Sequence, residues 1–174
     1  MGKFLFVPVS GEIKVIDFEY TDPNDFNNFV HETISCEYYE LVSIGRNNYM
    51  VVDELGKVLE DPKPVNVRAS TLYLGTPEGD PIVGDVLIGT MGTINGEPDL
   101  IGLESIELER LLDYFAGITY MVVIHMYDTY FHCIKLFKQF CEAESKVDEL
   151  KEISEIDFTH IIGVPGYPDK ENKL

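Results

Sequence analysis

The stretch YMVVIHMYDTYFHCIKLFKQFC, residues 120–141, decides how the second half of this chain is built. Apolar residues recur at Val123, Met126, Tyr127, Tyr130, Phe131, Ile134, Phe137 and Cys141, the spacing of one helix face. The run 118–124, taken alone, fits a strand equally well. Over the longer window the helical period predicts a helix. Its surroundings agree. Upstream, Ser105 can cap a helix with Glu107 and Glu109 in its first turn and Leu108, Leu111, Leu112 and Phe115 facing inward, stopping at Gly117. Downstream, 142–157 is acidic and helix-prone, and Gly163-Val164-Pro165-Gly166-Tyr167-Pro168 ends regular structure.

The first half reads differently. Phe4 to Val9 is a short apolar run, Ser10-Gly11 turns, and Glu12 to Phe18 alternates like a half-buried strand, so an opening hairpin is predicted. Asp22 and Pro23 start a helix favoured by Asp25, with Phe26, Phe29, Val30 and Ile34 as its buried face. Two strands, 38–44 and 49–53, flank the turn Gly45-Arg46-Asn47-Asn48. Further strands are expected at Thr71 to Leu74 and Val86 to Ile88. The resulting expectation is an α+β fold: a small, mainly antiparallel sheet with one early helix over 1–92, then a helical C-terminal extension over 93–162, packed on that domain or on a partner. A flexible tail over 163–174 completes it.

At 174 residues with 45% hydrophobic and 25% charged residues, the chain has ordinary globular composition. Its charge is unusual. Thirty-one acidic against thirteen basic residues give −18, distributed evenly rather than gathered in a terminal tail. Such a surface repels nucleic acid and anionic membranes and attracts basic proteins; solubility is the plain alternative. Cys36, Cys133 and Cys141 are an odd set with no CxxC spacing. With no signal-peptide pattern and no apolar run of membrane length, a cytoplasmic protein is expected.

Within VVDELGKVLEDPKPVNVRASTLY, residues 51–73, an acidic-Gly-Lys turn (Asp53 to Lys57) precedes Pro64-Val65-Asn66-Val67-Arg68-Ala69. Later comes Pro81-Ile82-Val83-Gly84-Asp85-Val86-Leu87-Ile88-Gly89. This order resembles the phage- and plasmid-borne family known as domain of unknown function 3846, over about the first half of the chain. The family shares "N-E-x-G-K", "N-x-x-A" and "G-D-hydrophobic" stretches. This chain has Asp53 where the family usually has Asn, and a longer segment at Asp61-Pro62-Lys63-Pro64. The resemblance implies a small α+β domain opening on a strand pair, carried by mobile elements beside accessory and antirestriction functions. Carried by a phage, such a protein would work in the host cytoplasm. The resemblance implies no activity.

Asn66 and Arg68 are the first candidate site. A fixed guanidinium beside an amide binds phosphate or carboxylate, whereas structurally Asn66 would bond the local backbone and Arg68 a carboxylate. His125, Asp128 and His132, with Cys133 adjacent, would share one face of a continuous helix and could hold zinc; the alternative is a polar helical stripe. No nucleophile elbow, Walker loop or dinucleotide fingerprint occurs. The acidic segment presents Glu142, Glu144, Asp148, Glu149, Glu152 and Glu155, either as phosphate mimics or as a solvated face with Glu142–Lys146 and Asp148–Lys151 pairs. The expected function is therefore a non-enzymatic, mobile-element accessory protein that uses no cofactor or metal. It would counteract or modulate a basic host defence or nucleic-acid-processing protein, in one form by DNA mimicry. Sequestration of a nucleotide-like small molecule at Asn66 and Arg68 is the alternative, a metal-dependent enzyme at His125, Asp128 and His132 the third, and self-association through a 120–141 helix a corollary.

Overall fold

The computed structural model describes residues 2–20, 25–73, 80–94, 96–126, 129–153 and 156–165. The chain divides into two compact units, Met1–Arg110 and Leu111–Leu174.

The first unit opens with the expected hairpin. Strands β1 (Gly2–Val7) and β2 (Lys14–Phe18) pair antiparallel, Gly2 opposite Phe18 and Phe6 opposite Lys14. Helix α1 (Asp25–Ile34) buries Phe26, Val30 and Ile34, the face its spacing predicts; the proposed Asp22 and Pro23 start lies outside the described residues. Strands β3 (Tyr39–Gly45) and β4 (Asn48–Asp53) meet at a two-residue turn in which Arg46 and Asn47 have φ of 52° and 62°. Positive φ at both central residues matches the right-handed twist of the strands.

Helix α2 (Val67–Tyr73), strands β5 (Val86–Ile94) and β6 (Glu97–Ile101), and helix α3 (Ser105–Ala116) follow, and the division between units falls inside α3. The sheet order is β2-β1-β5-β4-β3, every pair antiparallel, with β6 pairing the far half of β5. Where β6 ends it runs against the start of β1, and Leu103 N–H donates to Lys3 O at 2.7 Å. Only glycine allows that approach, because a Cβ on Gly102 would lie 2.3 Å from the Lys3 nitrogen. On one face Phe4, Val51, Leu87 and Leu100 pack with Phe26, Val30 and Ile34 of α1. Phe18 stacks on Phe29 with ring centroids 4.4 Å apart, and Tyr20 donates its hydroxyl to Leu100 O at 2.7 Å. Leu5, Met50 and Ile88, aligned by register on the opposite face, are fully buried too.

The second unit corrects the expected helical extension. Strands β7 (Thr119–Met126), β8 (Thr129–Phe137) and β9 (Ile156–Val164) form a three-stranded antiparallel sheet with β7 central. Helix α4 (Phe140–Lys151) packs along this sheet, with Phe140 edge-on to Tyr120 at 5.1 Å. The fold is thus α+β, with two antiparallel sheets and four helices spread along the described residues, not one early helix followed by a helical extension. The physical cause lies in the residues of 120–141. Val122, Val123, Ile124, Thr129, Tyr130, Phe131 and Ile134 are β-branched or aromatic, types that lose rotamer freedom in a helix and fit a pleated surface. The stretch is so rich in apolar residues that a helical period can be drawn through it, yet Val123 and Met126 fall on β7 and Tyr130, Phe131, Ile134 and Phe137 on β8, two paired strands. The helix proposed for self-association therefore does not form. Thr71 to Tyr73, expected as strand, completes α2, and Ser105, read as a cap, is the first residue of α3. Gly163 and Val164, expected in a flexible tail, close β9 instead, and 166–174 lie outside the described residues.

Candidate functional site

Asn66 and Arg68 sit at the start of α2 and are among the most enclosed polar residues, 0% and 4% exposed. Asn66 caps the helix: its Oδ1 accepts from Ala69 N–H at 3.0 Å. Its Nδ2 donates to Val7 O and to Gly84 O, both at 2.9 Å, while its backbone N–H donates to Ile82 O at 2.8 Å. One amide thereby joins the end of β1, the start of α2 and the segment leading into β5. No other side chain supplies an acceptor and two divergent donors at that length; Asp has no donor when ionised and Ser has one. Arg68 donates from Nη1 to Gly11 O at 2.7 Å and from Nη2 to Pro8 O, clamping the β1–β2 connection. Both side chains are engaged by backbone carbonyls, the structural alternative weighed for Asn66; for Arg68 the partners shown are carbonyls rather than the expected carboxylate.

The other proposed residues are not brought together. His125 is on β7 and His132 on β8, where His132 stands opposite Ile124 across the ladder. The helical i, i+3, i+7 face they required does not exist, and Asp128 lies outside the described residues. Among the described residues no group of three His, Cys, Asp or Glu could hold a metal ion. Of the acidic set, Glu142, Glu144, Asp148 and Glu149 are on α4 and Glu152 is its C-cap, whereas Glu155 lies outside the described residues. Lys151 pairs with Asp148 at 2.9 Å as the spacing predicts; Lys146 pairs with Glu149 at 2.6 Å rather than with Glu142.

Two arrangements were not legible from sequence. At the end of β4, Asp53 is 4% exposed in its side chain and bonds Lys63 at 2.7 Å. Lys63 also donates to Ile34 O at 3.1 Å and Ser35 O at 2.7 Å, meeting the carbonyl end of α1, where a cation is favoured by the helix dipole. Beside it, His31 Nδ1 lies 2.9 Å from Cys36 O and 3.7 Å from Cys36 Sγ. Burial, and secondarily the Asp53 charge, raise the Cys36 thiol above its ordinary value, so it is kept in the protonated, poorly nucleophilic form.

The second arrangement is a groove of about 380 Å³ along β3, the outermost strand of the sheet. Val42, Val52, Tyr73, Ile82 and Val83 give it apolar walls, and Glu40, Glu54 and Asp80 an acidic rim. Lys57 is ion-paired with Asp80, and Asp53 with Lys63. Glu40 and Glu54 are exposed and have no ion pair among the described residues. Such a lining accepts a long side chain with an apolar stem and a cationic head.

Comparison with protein-family models, curated proteins and solved structures returns no match to this chain. Among the described residues no helix is long and apolar enough to cross a membrane.

Proposed function

We propose that this chain is an acidic binding protein whose partner is a basic protein, rather than an enzyme. The observation that carries the reading is the −18 charge of the chain, spread along the sequence rather than gathered in a terminal tail. Glu12, Glu32, Glu40, Glu54, Glu60, Glu97, Glu104, Glu109, Glu142 and Asp148 are exposed, so both units present acids to solvent. A surface of this sign draws basic proteins to it and repels nucleic acid and phosphate. The resemblance of residues 52–89 to a mobile-element family is the ground for placing the partner among host defence or nucleic-acid-processing proteins, with the α4 acids as a stand-in for a phosphate backbone. The nucleotide-like alternative at Asn66 and Arg68 receives less support, because Asn66 Nδ2 and Arg68 Nη1 and Nη2 already donate to the Val7, Gly84, Gly11 and Pro8 carbonyls.

Affinity purification from a bacterial lysate at low and high salt, with mass spectrometry of the retained proteins, tests the reading. Salt-sensitive enrichment of one or a few basic proteins is the expected result. Absence of any basic protein at low salt would sink it.

A further inference from the structure

We propose that β3 and the groove beside it form a docking site for an extended, Lys/Arg-bearing segment of a protein partner, which adds to the sheet as a further strand. The proposal rests on the acidic-binding reading above and specifies where and how the partner is held.

β3 is a sheet edge: among the described residues no strand pairs with its outer side. The direction of its backbone groups follows from one bond. Glu54 N–H donates to Tyr38 O at 3.1 Å, and Tyr39 stands opposite Asp53, so Tyr38 and Glu54 are a hydrogen-bonded pair. Antiparallel ladders alternate; Glu40 and Val42 then bond inward to β4, while Tyr39, Leu41 and Ser43 turn their N–H and C=O groups outward. Open edges are commonly blunted by Lys, by Pro or by short length. β3 has neither residue and runs Tyr39–Gly45, with a register shift only near the turn. β2, the opposite edge, is shorter and carries Lys14.

Charge selects the occupant. Glu40 alternates onto the groove side of β3, and Glu54 and Asp80 stand on the groove rim. An incoming strand that points Lys or Arg into the groove would lay the stem against Val42, Val52 and Ile82 and bring the cation to Glu40 and Glu54. Its alternate side chains would meet Leu41, which is 40% exposed. Main-chain bonds would supply affinity and the alternation specificity, as in other strand-addition complexes. A second copy of this chain would bring another −18 to the same edge, which argues against self-pairing.

The probe is a fluorescein-labelled peptide of about eight residues alternating Arg or Lys with Val, long enough to run the length of β3 at about 3.4 Å per residue. A second peptide of equal charge carries Pro at two of the Val positions. Anisotropy with the full chain is expected to show the first peptide binding at least about tenfold more tightly than the second. On its addition the amides of Tyr39, Leu41 and Ser43 become protected from hydrogen exchange, whereas those of Glu40 and Val42 are protected beforehand. Leu41→Pro removes an outward N–H, and Glu40→Lys with Glu54→Lys reverses the rim; each should weaken the first peptide about tenfold or more. The exchange measurement and the charge-reversed variant keep the test intact if Leu41→Pro fails to fold. Equal binding of the two peptides, unchanged exchange at those three amides, or indifference to charge reversal overturns strand addition. So does light scattering that shows the chain dimerising through this edge. If these fail while basic proteins are still retained at low salt, strand addition alone is lost and the acidic-surface reading stands; if both fail, both are lost.

Discussion

Replacing Asn66 should damage the first unit more than any exposed residue of the same segment. In Asn66→Ala the cap to Ala69 N–H goes, at a cost of about 1 kcal/mol. Val7 O and Gly84 O also lose a donor in a site with 0% exposure, each worth about 1–2 kcal/mol. The sum, about 3–5 kcal/mol, is a large share of the roughly 5–15 kcal/mol that holds a domain folded. Asn66→Asp separates the contributions, since it keeps the cap acceptor and removes the donors. Protonated, the introduced carboxyl still donates once; ionised, it faces two carbonyls with none. Its native pKa is therefore raised, the native state holds the proton longer than the unfolded chain, and stability falls as pH climbs above about 4. Urea unfolding followed by circular dichroism and tyrosine fluorescence, at about pH 4 and pH 7, measures both variants. A loss below about 1 kcal/mol in Asn66→Ala, or an Asn66→Asp deficit equal at the two pH values, would refute the hub assigned to Asn66.

Lys63→Met leaves the enclosed Asp53 carboxylate without its cation and frees the Ile34 and Ser35 carbonyls; a loss of about 2–4 kcal/mol is expected in urea unfolding. Asp53→Asn added to it should restore part of that loss, and additive effects would contradict the coupling. The Arg110 side chain and then Asn48 hydrogen-bond Glu107 and hold its carboxyl below the usual glutamate range. Its stabilising contribution is then complete above the ordinary glutamate pKa and is lost as pH falls through the lowered native value, so the Glu107 carboxyl should titrate by NMR below the exposed glutamates, and less far below them in Asn48→Ala. Cys36, with its raised thiol and partial burial, should alkylate more slowly than exposed Cys141 at mildly alkaline pH, as peptide mass spectrometry would show.

Local chemistry was enough wherever one segment carried its own instructions. The α1 face showed in the spacing of Phe26, Val30 and Ile34, and the β3–β4 hairpin in Gly45 to Asn48, where φ is positive at Gly45, Arg46 and Asn47. Asn66 could be read as a backbone-bonding residue, but not its partners, since Val7 and Gly84 lie 59 and 18 positions away. The Asp53–Lys63 pair was invisible for the same reason: an ion pair across a prolyl loop has no spacing signature, unlike Asp148–Lys151 within one helical turn.

The sequence by itself determined the charge, the absence of the common catalytic loops, and those elements whose apolar period is unambiguous. The helix its apolar period predicts over 120–141, with only 118–124 open to a strand, is not what forms, because a stretch this apolar satisfies both periods. Tertiary structure chose, by giving β7 a neighbour on each side and α4 to pack along the sheet. It also decided that Asn66 and Arg68 are enclosed and that β3 is left at an edge. Edges, enclosures and cross-chain bonds depend on which strand lies beside which, and long-range pairing is not written in any single segment.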